Sequence, residues 1–327
     1  MPADDSENPL PPYTEVVPYG RTAQRLQWAH LPPDLRTRIE ERCGSPVVDA
    51  LSRDSGFTPG FASVLVCEDG SRTFVKAASV KAQRQIAESY REEARKLASL
   101  PLSAPAPRLR WSSTDETWVV LGIEHQDGSL PARPWRDADV AAVLDALESL
   151  ADGLTPPPAD LRLPSFVEEF GDHVRDWDHL RATRPGMAHL EDAAALARRL
   201  PEVTGPVEGA TVVHTDVRAD NLLLTDDDQV WICDWNWLVT GPPWLDTLLF
   251  LLEPSGDGLE VEDLVASRRL LRDVPGESID VVLAMLVAFF VRASDQAVPP
   301  TSPHLREHQR WMGDVTWGWL CTRRGWG

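Results

Sequence analysis

Lysine is scarce in this 327-residue chain. It occurs only at positions 76, 81 and 96, so three of the 32 basic residues are lysine and the other 29 are arginine. The 51 acidic residues outnumber both and give a formal net charge of −19. A nucleic-acid-binding surface needs Lys and Arg opposite the phosphates, so this balance argues against nucleic acid as a partner. It favours a cationic small molecule through long-range attraction, although an acidic surface also serves solubility.

Cysteine and long apolar runs are also rare. The cysteines at 43, 67, 233 and 321 form no C-x-x-C pair, so neither a zinc site nor a disulfide framework is expected. The longest uninterrupted apolar run, residues 281–291, is too short to span a bilayer. The acidic, proline-rich residues 1–18 lack the basic and apolar regions of a signal peptide. We therefore expect a cytoplasmic protein without a membrane partner, and its oligomeric state stays open.

A Walker-type Gly-x-x-x-x-Gly-Lys-Ser/Thr motif is absent as well, which argues against a P-loop fold. What the sequence does contain is a dense polar motif, His214-Thr215-Asp216 followed by Asn221 and Asp234. The residues between Asn221 and Asp234 are apolar, then polar, then apolar again, which predicts a short β-hairpin. An antiparallel hairpin brings its ends together, so Asn221 and Asp234 should lie side by side. Their side-chain oxygens suit Mg²⁺.

The spacing of this motif indicates phosphoryl transfer. Asp216 stands five residues before Asn221, as in the kinase catalytic loop, so its carboxylate can receive a hydroxyl proton beside the metal. Each residue alone has an ordinary structural explanation, and an Asp after a strand is commonly a turn former. The combination at these spacings favours the catalytic interpretation. Asp220 and His214 are interpreted as residues that brace and orient the loop.

A resemblance to a known family rests on these residues. The segments 212–224, 232–235 and 243–246 resemble the aminoglycoside phosphotransferase family, which shares the protein-kinase-like fold with choline kinases. The resemblance covers residues 47 to 250 and implies an α+β, two-lobed fold: a small antiparallel-sheet N-lobe with one long helix, and a larger, mostly helical C-lobe. It implies ATP, or GTP, together with Mg²⁺, and a loop-bracing role for Asp246. Asn236 departs from the many relatives that carry a second acid at this position.

The implied nucleotide-binding lobe can be read in the upstream sequence. Strands are predicted at 47–53, 61–67 and 72–77, and a small-residue loop, 54–60, joins the first two. Ser55, Gly56 and Gly60 in this loop could lie over phosphates. The loop lacks the full glycine spacing of protein kinases and contains a stiffening proline.

Lys76 lies on the third of these strands. In a chain that uses Arg almost everywhere, a Lys on an apolar strand suggests a chemical requirement, since its compact ammonium can reach nucleotide phosphates. The alternative is a strand-end lysine with its head in water. A helix predicted at 82–100 places Glu93 on the same face as its apolar residues, and the family's helix carries a Glu that pairs with the strand lysine. Glu92 and Glu88 are weaker alternatives.

Two further strands, 108–111 and 118–121, lead to residues 122–125, which resemble the family's interlobe hinge. By that resemblance the backbone of Gly122, Ile123 and Glu124 would bind the purine. We therefore divide the chain into a flexible tail at 1–20, an N-lobe at 21–124 and a C-lobe at 125–327. Helices are predicted in the C-lobe at 135–151, 164–183, 189–200, 244–252, 260–272, 278–295 and 304–321, interrupted only by the catalytic hairpin.

Acidic and tryptophan residues are the candidates for binding the acceptor. The carboxylates that could bind amino groups are Glu168, Glu169, Asp172, Asp176 and Asp178. The thirteen tryptophans include Trp235, Trp237 and Trp244 near the metal region, where an aromatic wall could stack on a sugar or hold a cation. Core packing is the alternative for most of them, and Trp311, Val315 and Trp319 have the spacing of a core face on the last helix.

Three functions fit these observations. The first is a kinase that phosphorylates a hydroxyl of an aminoglycoside or another cationic antibiotic. The second is a kinase of another hydroxylated metabolite, such as an amino sugar, a choline-like alcohol or a nucleoside. The third is a nucleotide-binding pseudokinase that regulates a partner, which the complete set of Lys76, Asp216, Asn221 and Asp234 argues against. A protein kinase fits less well, because Asp-Trp-Asn replaces Asp-Phe-Gly at 234–236.

Overall fold

The computed structural model describes residues 10–205 and 209–326. Its N-terminal part contains a five-stranded antiparallel sheet, and helices predominate in the larger part that follows. The sheet strands are β1 (Val47–Ser52), β2 (Phe61–Cys67), β3 (Arg72–Ser79), β4 (Leu109–Thr114) and β5 (Trp118–Glu124), in the order β1-β2-β3-β5-β4. The predicted α+β architecture is therefore confirmed. The placement of the lobe boundary at residue 124, where β5 ends, stays a prediction.

The helices are numbered along the chain, and most belong to the C-terminal part. They are α1 (Tyr13–Val16), α2 (Pro33–Cys43), α3 (Arg84–Ser99), α4 (Asp137–Gly153), α5 (Phe166–Phe170), α6 (Asp176–Thr183), α7 (Leu190–Ala197), α8 (Leu200–Thr204), α9 (Leu245–Gly256), α10 (Val261–Ser267), α11 (Gly276–Ser294) and α12 (Leu305–Arg324). None of the helices in the described ranges is both long and apolar enough to cross a membrane.

α3 packs across the sheet because its apolar residues recur every three or four positions. Ala87, Tyr90, Ala94 and Leu97 are buried on one stripe, which contacts β3 and β5. Glu93 falls on the same stripe and is 1% exposed despite its charge. The helix therefore directs one carboxylate into the interior, where a buried charge requires a partner.

α11 forms the centre of the C-terminal part. Eight consecutive residues, Val281 to Ala288, are buried, as expected for a helix that is apolar on all sides. α12 packs along α11 and presents Trp311, Val315 and Trp319 to the interior, with exposures of 2%, 3% and 6%. The predicted core face of the last helix is therefore confirmed.

Two small sheets position the segment that carries the predicted catalytic motif, whose loop and hairpin we call the catalytic loop and the catalytic hairpin. β6 (Thr211–Val213) pairs with β9 (Val239–Gly241), and β7 (Leu222–Leu224) pairs with β8 (Val230–Ile232). The second pair is the predicted hairpin, and its first rung joins Leu222 to Ile232. Just beyond that rung the Cys233 N–H donates to the Asn221 carbonyl at 2.8 Å. The ends of the hairpin therefore meet, as antiparallel pairing requires.

The structure corrects two predictions about regular elements and adds elements that were not predicted. The single helix expected at 164–183 is wrong: a 3-10 turn at Gly171–Arg175 separates α5 from α6, and a glycine at this point favours the break. The helix expected at 189–200 ends early, and α8 follows with Pro201 in its first turn, where a proline is tolerated. α2 and the β6–β9 pair were not predicted.

Residues 10–20 lie in the predicted flexible tail, and the structure places them against the C-terminal part instead. The Tyr13 Oη atom is 3.0 Å from His308 Nδ1, and the Trp311 indole N–H donates to the Pro11 carbonyl at 3.0 Å. Tyr13 and Val17, four positions apart, are 5% and 0% exposed. Burial of these two large side chains accounts for the ordered docking. Residues 1–9 of the predicted tail lie outside the described residues.

Gly122 offers a test of the sheet packing. It lies in β5 beneath the Trp111 ring, and a Cβ at this position would clash with the indole. We expect Gly122→Ala to lower the free energy of unfolding by about 1–3 kcal/mol through overpacking. The matched control is Gly318→Ala in α12, where nothing lies within 4 Å of the added methyl, and which should raise stability by up to about 1 kcal/mol. Equal urea midpoints for Gly122→Ala and the parent protein would contradict this packing.

Candidate active site

A cavity of about 450 Å³ lies between the sheet and the catalytic hairpin. Both structural parts contribute to its wall: Lys76 and Glu93 come from β3 and α3, and Asn221 and Asp234 come from the two ends of the hairpin. The fold therefore brings four of the predicted site residues to one cavity, although more than 120 positions separate Glu93 from Asn221 in the sequence.

Lys76 is the centre of this cavity's charge network. Its Nζ atom lies 2.7 and 2.8 Å from the two Glu93 carboxylate oxygens and 3.1 Å from Asp234 Oδ1. Burial alone would lower the pKa of Lys76, but the charges of Asp234 and Glu93 outweigh it and raise the pKa above the ordinary value. The ammonium therefore stays protonated. The alternatives Glu92 and Glu88 instead pair at the surface with Arg95 and Arg84.

The catalytic loop holds Asp216 from both sides. Asn221 Nδ2 donates to Asp216 Oδ2 at 2.9 Å, and Arg218 Nη1 lies 2.8 Å from Asp216 Oδ1. Arg218 also bonds both carboxylate oxygens of Asp220, at 3.0 and 2.9 Å. Asp220, interpreted from the sequence as a bracing residue, therefore acts through an arginine that the sequence analysis did not single out.

The pKa of Asp216 reflects these neighbours. Burial raises it to about 7, the Arg218 charge opposes this rise, and the carboxylates of Asp220 and Asp234 add to it. A carboxyl group that titrates near neutral pH is suited to accept a proton from a hydroxyl and to release it later.

Backbone strain in the catalytic loop is compensated by a buried carboxylate. Thr215 has φ 67°, a left-handed conformation that costs free energy for a β-branched residue. Asp246 accepts the backbone N–H groups of His214 and Thr215 at 2.7 and 2.8 Å. The contacts of Asp246 are those of a brace for the loop, the role that the family resemblance implies.

His214 has a defined tautomer in this arrangement. Its Nδ1 atom accepts the backbone N–H of Asp216 at 3.3 Å, so the proton resides on Nε2, which donates to the Cys233 carbonyl at 3.0 Å. Burial lowers the pKa of His214 to about 4, in agreement with a neutral ring. His214 therefore orients the loop and does not supply charge.

The hairpin ends present the chemistry of a magnesium site. Asn221 uses its amide nitrogen to bond Asp216, and its carbonyl oxygen is a suitable ligand for a hard cation. Asp234 supplies a carboxylate, and Asn236 donates to Asp234 Oδ1 at 2.5 Å. Asn236 Oδ1 is buried and finds no hydrogen-bond partner within the described residues. These oxygen donors fit Mg²⁺, and phosphates and water would have to complete its octahedron.

A family comparison identifies the chain. The sequence model of a family described as "Phosphotransferase enzyme family" matches residues 58–277, which is more than half of the 327 residues. The chain belongs to this phosphotransferase enzyme family. The protein is therefore an enzyme that transfers a phosphoryl group, and the predicted family is confirmed. The matched segment contains every residue of the cavity network described above.

Solved structures show where else the phosphotransferase fold occurs. An aminoglycoside phosphotransferase from Alicyclobacillus acidocaldarius is similar with a TM-score of 0.58 at 16% identity, over 91% of this chain and 97% of that chain. A choline kinase from Streptococcus pneumoniae has a TM-score of 0.57 at 14% identity, and the match covers 86% of this chain and 99% of that chain. A spectinomycin phosphotransferase in complex with ADP and spectinomycin has a TM-score of 0.58 at 11% identity, and the match covers 87% of this chain and 97% of that chain. At these identities the likeness concerns the fold, and no curated protein matches the chain in sequence.

The remaining predicted nucleotide residues fall into two groups in this phosphotransferase. Ser55, Gly56, Ile123 and Glu124 line the cavity. Gly60 and Gly122 do not line it: Gly60 packs under the Tyr90 side chain, and Gly122 packs under Trp111. Gly122 therefore serves the sheet, because close approach of an aromatic ring leaves no room for a side chain there.

The predicted acceptor-binding residues are mostly engaged elsewhere. Trp235 and Trp244 are buried, whereas Trp237 is 54% exposed, and its carbonyl accepts a hydrogen bond from Thr215 Oγ1 at 2.9 Å. Asp172, Asp176 and Asp178 form local pairs with Arg175, His173 and Arg181, and Glu168 caps α5. Of these candidates, Trp237 is the exposed side chain nearest to the catalytic loop in sequence.

Several site residues had no signal in the sequence. Arg133 bonds Asp257 at 2.5 and 2.8 Å and lies 3.2 Å from Glu253, whose other oxygen accepts the Ala219 N–H of the catalytic loop at 2.9 Å. Arg218 could have been suspected, since it lies between two carboxylates within one motif. Arg133 and Glu253 are brought together only by the fold.

The brace at Asp246 gives a stability prediction. Replacement by Asn leaves one of the two buried N–H groups of His214 and Thr215 facing a donor, so we expect Asp246→Asn to lower the free energy of unfolding by about 1–3 kcal/mol. Asp226→Asn in the exposed hairpin turn is the control and should change it by less than about 0.5 kcal/mol. The free energies of unfolding of both variants are measured by urea denaturation. Equal losses of stability in Asp246→Asn and Asp226→Asn would refute the bracing role.

Proposed function

We propose that this protein transfers the γ-phosphate of ATP, with Mg²⁺, to a hydroxyl group of a small molecule. The observation that carries the proposal is the double contact of Lys76, whose ammonium joins Glu93 of the helix and Asp234 of the hairpin. This contact supports a phosphate-binding role for Lys76, because its ammonium lies beside the proposed metal ligand Asp234. Family membership and the fold support the phosphotransfer chemistry.

Each residue has a role in the proposed reaction. The nucleotide base lies against the backbone of Ile123 and Glu124, and Lys76 binds the α- and β-phosphates. Asn221 and Asp234 would hold Mg²⁺, which would neutralise charge on the phosphates. Asp216 orients the acceptor hydroxyl and takes its proton as the oxygen attacks the γ-phosphorus and the bond to the bridging oxygen of ADP breaks. Most of the acceleration comes from positioning and charge neutralisation.

Arg218 sets the working state of the base. Partial burial of Asp216 raises its pKa and favours the neutral form, which cannot accept a proton. The guanidinium 2.8 Å from Asp216 Oδ1 stabilises the carboxylate and fixes its orientation toward the acceptor. Arg218 is therefore a positioning and charge-balancing residue in the proposal.

The acceptor is proposed to be an aminoglycoside or another cationic antibiotic. The net charge of −19 supports a cationic molecule through field steering, and exposed Trp237 beside the catalytic loop can stack on a sugar or hold a cation. The spectinomycin complex of a similar fold agrees with this class, and the choline kinase fold keeps choline-like alcohols as the second candidate.

A screen of ADP release over acceptors tests the function. Purified protein with MgATP, and in a second arm MgGTP, is assayed with aminoglycosides, spectinomycin-like antibiotics, amino sugars, choline-like alcohols and nucleosides. We expect acceptor-dependent ADP release with a cationic, hydroxyl-rich molecule. Release with a neutral acceptor only would overturn the cationic class, and nucleotide binding without any turnover would favour the pseudokinase.

Replacement of the base provides the catalytic control. Asp216→Asn keeps the shape of the side chain and removes its proton affinity, so kcat should fall by about 10²–10⁴-fold. The Kd for MgATP should change little, because Asp216 is not a proposed ligand of the nucleotide. An active Asp216→Asn variant would remove Asp216 from the mechanism.

A pH profile tests the role of Arg218. Because only the carboxylate form of Asp216 accepts a proton, kcat/KM should rise as the pH increases through about 7 and then level off. Arg218→Gln removes the charge that lowers the pKa of Asp216, so the rise should move upward by about one to three pH units. Arg181→Gln, at a surface ion pair, is the control and should keep the parent profile. An unshifted profile in Arg218→Gln would reject this role.

A further inference from the structure

Two buried donors beside the 54–60 loop have no hydrogen-bond partner among the described residues. They are the Tyr90 hydroxyl and the Arg25 Nε–H, and both side chains line the cavity. Tyr90 is 1% exposed. Buried polar groups in native proteins are almost always paired, so two unpaired donors at one place indicate a missing partner.

Tyr90 projects from α3 toward the loop. Its ring lies 5.5 Å from Lys76 Nζ, and it stands one helical turn before Glu93. Its hydroxyl approaches Gly60 so closely that a Cβ at this position would clash with it. Because Gly60 has no side chain, the Tyr90 hydroxyl can lie against the inner side of the loop, close to Lys76, which is proposed to bind phosphates.

Arg25 reaches the same loop from the N-terminal segment. Thr22 fixes this segment, because its hydroxyl lies 2.6 Å from the Ser55 carbonyl and 3.0 Å from the Gly56 carbonyl. Arg25 Nη1 donates to the Gly60 carbonyl at 3.4 Å, which leaves Nε for another acceptor. Burial raises the pKa of Tyr90, so its hydroxyl stays protonated and can donate a hydrogen bond.

The charge balance of the cavity favours an anion at these donors. Lys76 is already paired with two carboxylates, so its charge alone does not balance a polyphosphate. The other Lys and Arg side chains on the cavity wall are Arg25 and Arg53, and Arg53 is exposed. A guanidinium and a neutral hydroxyl donor are well suited to phosphate oxygens.

We propose that Arg25 and Tyr90 donate hydrogen bonds to the phosphates beyond the α-phosphate of the bound nucleotide. This inference rests on the proposed nucleotide-dependent function. The proposed nucleotide site then contains, besides Lys76, Asn221 and Asp234, the Arg25 guanidinium from the N-terminal segment and the Tyr90 hydroxyl from α3. The two donors would act as nucleotide-binding residues that hold the polyphosphate under the 54–60 loop.

The test compares nucleotides that differ only in phosphate number. The Kd values of ATP, ADP and AMP are measured by calorimetry with MgCl₂ for the parent protein, Tyr90→Phe and Arg25→Gln. Loss of a hydrogen bond to a charged group should weaken ATP and ADP by about ten-fold or more in each variant, while AMP changes by less than about two-fold. The unfolding temperature without nucleotide should stay equal or rise in Tyr90→Phe, because an unpaired buried hydroxyl is removed.

Matched controls separate this effect from general damage. Tyr19→Phe removes a hydroxyl that donates to the Pro131 carbonyl at 2.7 Å, and Arg21→Gln removes an exposed arginine of the same segment. Both should keep the parent nucleotide affinities. Equal weakening of AMP and ATP, or no weakening in Tyr90→Phe and Arg25→Gln, overturns the inference while the proposed function stands. A parent protein that binds none of the three nucleotides overturns both.

Discussion

The contact of Lys76 with Glu93 and Asp234 is the constraint on which the site depends. One ammonium connects a strand, the helix that crosses the sheet, and the end of the catalytic hairpin. Each of the two carboxylates would be costly to bury without it. The sheet and the hairpin can therefore meet at this distance only while the lysine is present. A chain that otherwise uses arginine keeps lysine here because the space between two carboxylates suits a compact ammonium.

Buried carboxylates with charged partners also surround the catalytic loop. This loop has little regular secondary structure, so few of its backbone N–H groups are hydrogen-bonded within a helix or strand. Asp246 accepts two N–H groups, and Glu253 accepts a third from Ala219. Arg218 balances Asp216 and Asp220, and Arg133 balances Glu253. Carboxylates thus replace the hydrogen bonds that a helix or strand would supply, and the charges of Arg218 and Arg133 oppose the rise in pKa that burial causes at Asp216 and Glu253. Hydrogen bonds and paired charges therefore hold the Asp216 carboxylate and the backbone around it.

Local sequence was sufficient to predict the hairpin and the contacts at its ends. Asn221, Asp234 and Asp216 lie within twenty positions, and the hairpin geometry alone brings two of them together. The pairing of Lys76 with Glu93 followed from helical spacing together with the family pattern. The positions of Arg25, Tyr90 and Arg133 at the cavity and the loop could not be predicted from the sequence. The residues that Arg25 and Arg133 contact are distant in sequence, and an unpaired hydroxyl such as that of Tyr90 leaves no sequence pattern. The packing of Gly122 against Trp111 could not be predicted, because Trp111 is its cross-strand neighbour only once the sheet has formed, while purine binding at Gly122 stays a prediction.

The N-terminal segment has a consequence for the order in which the protein matures. Tyr13 contacts His308, which is 295 positions later, and Gln24 donates to the carbonyl of Thr301 at 3.0 Å. Translation adds about 5–20 residues per second, so the first-made segment waits many seconds for these partners. The 54–60 loop, which Thr22 holds, lacks its complete support during that time. Nascent chains can therefore fold the sheet early, but the contacts that hold the N-terminal segment and the 54–60 loop are complete only after the last helix has been synthesised.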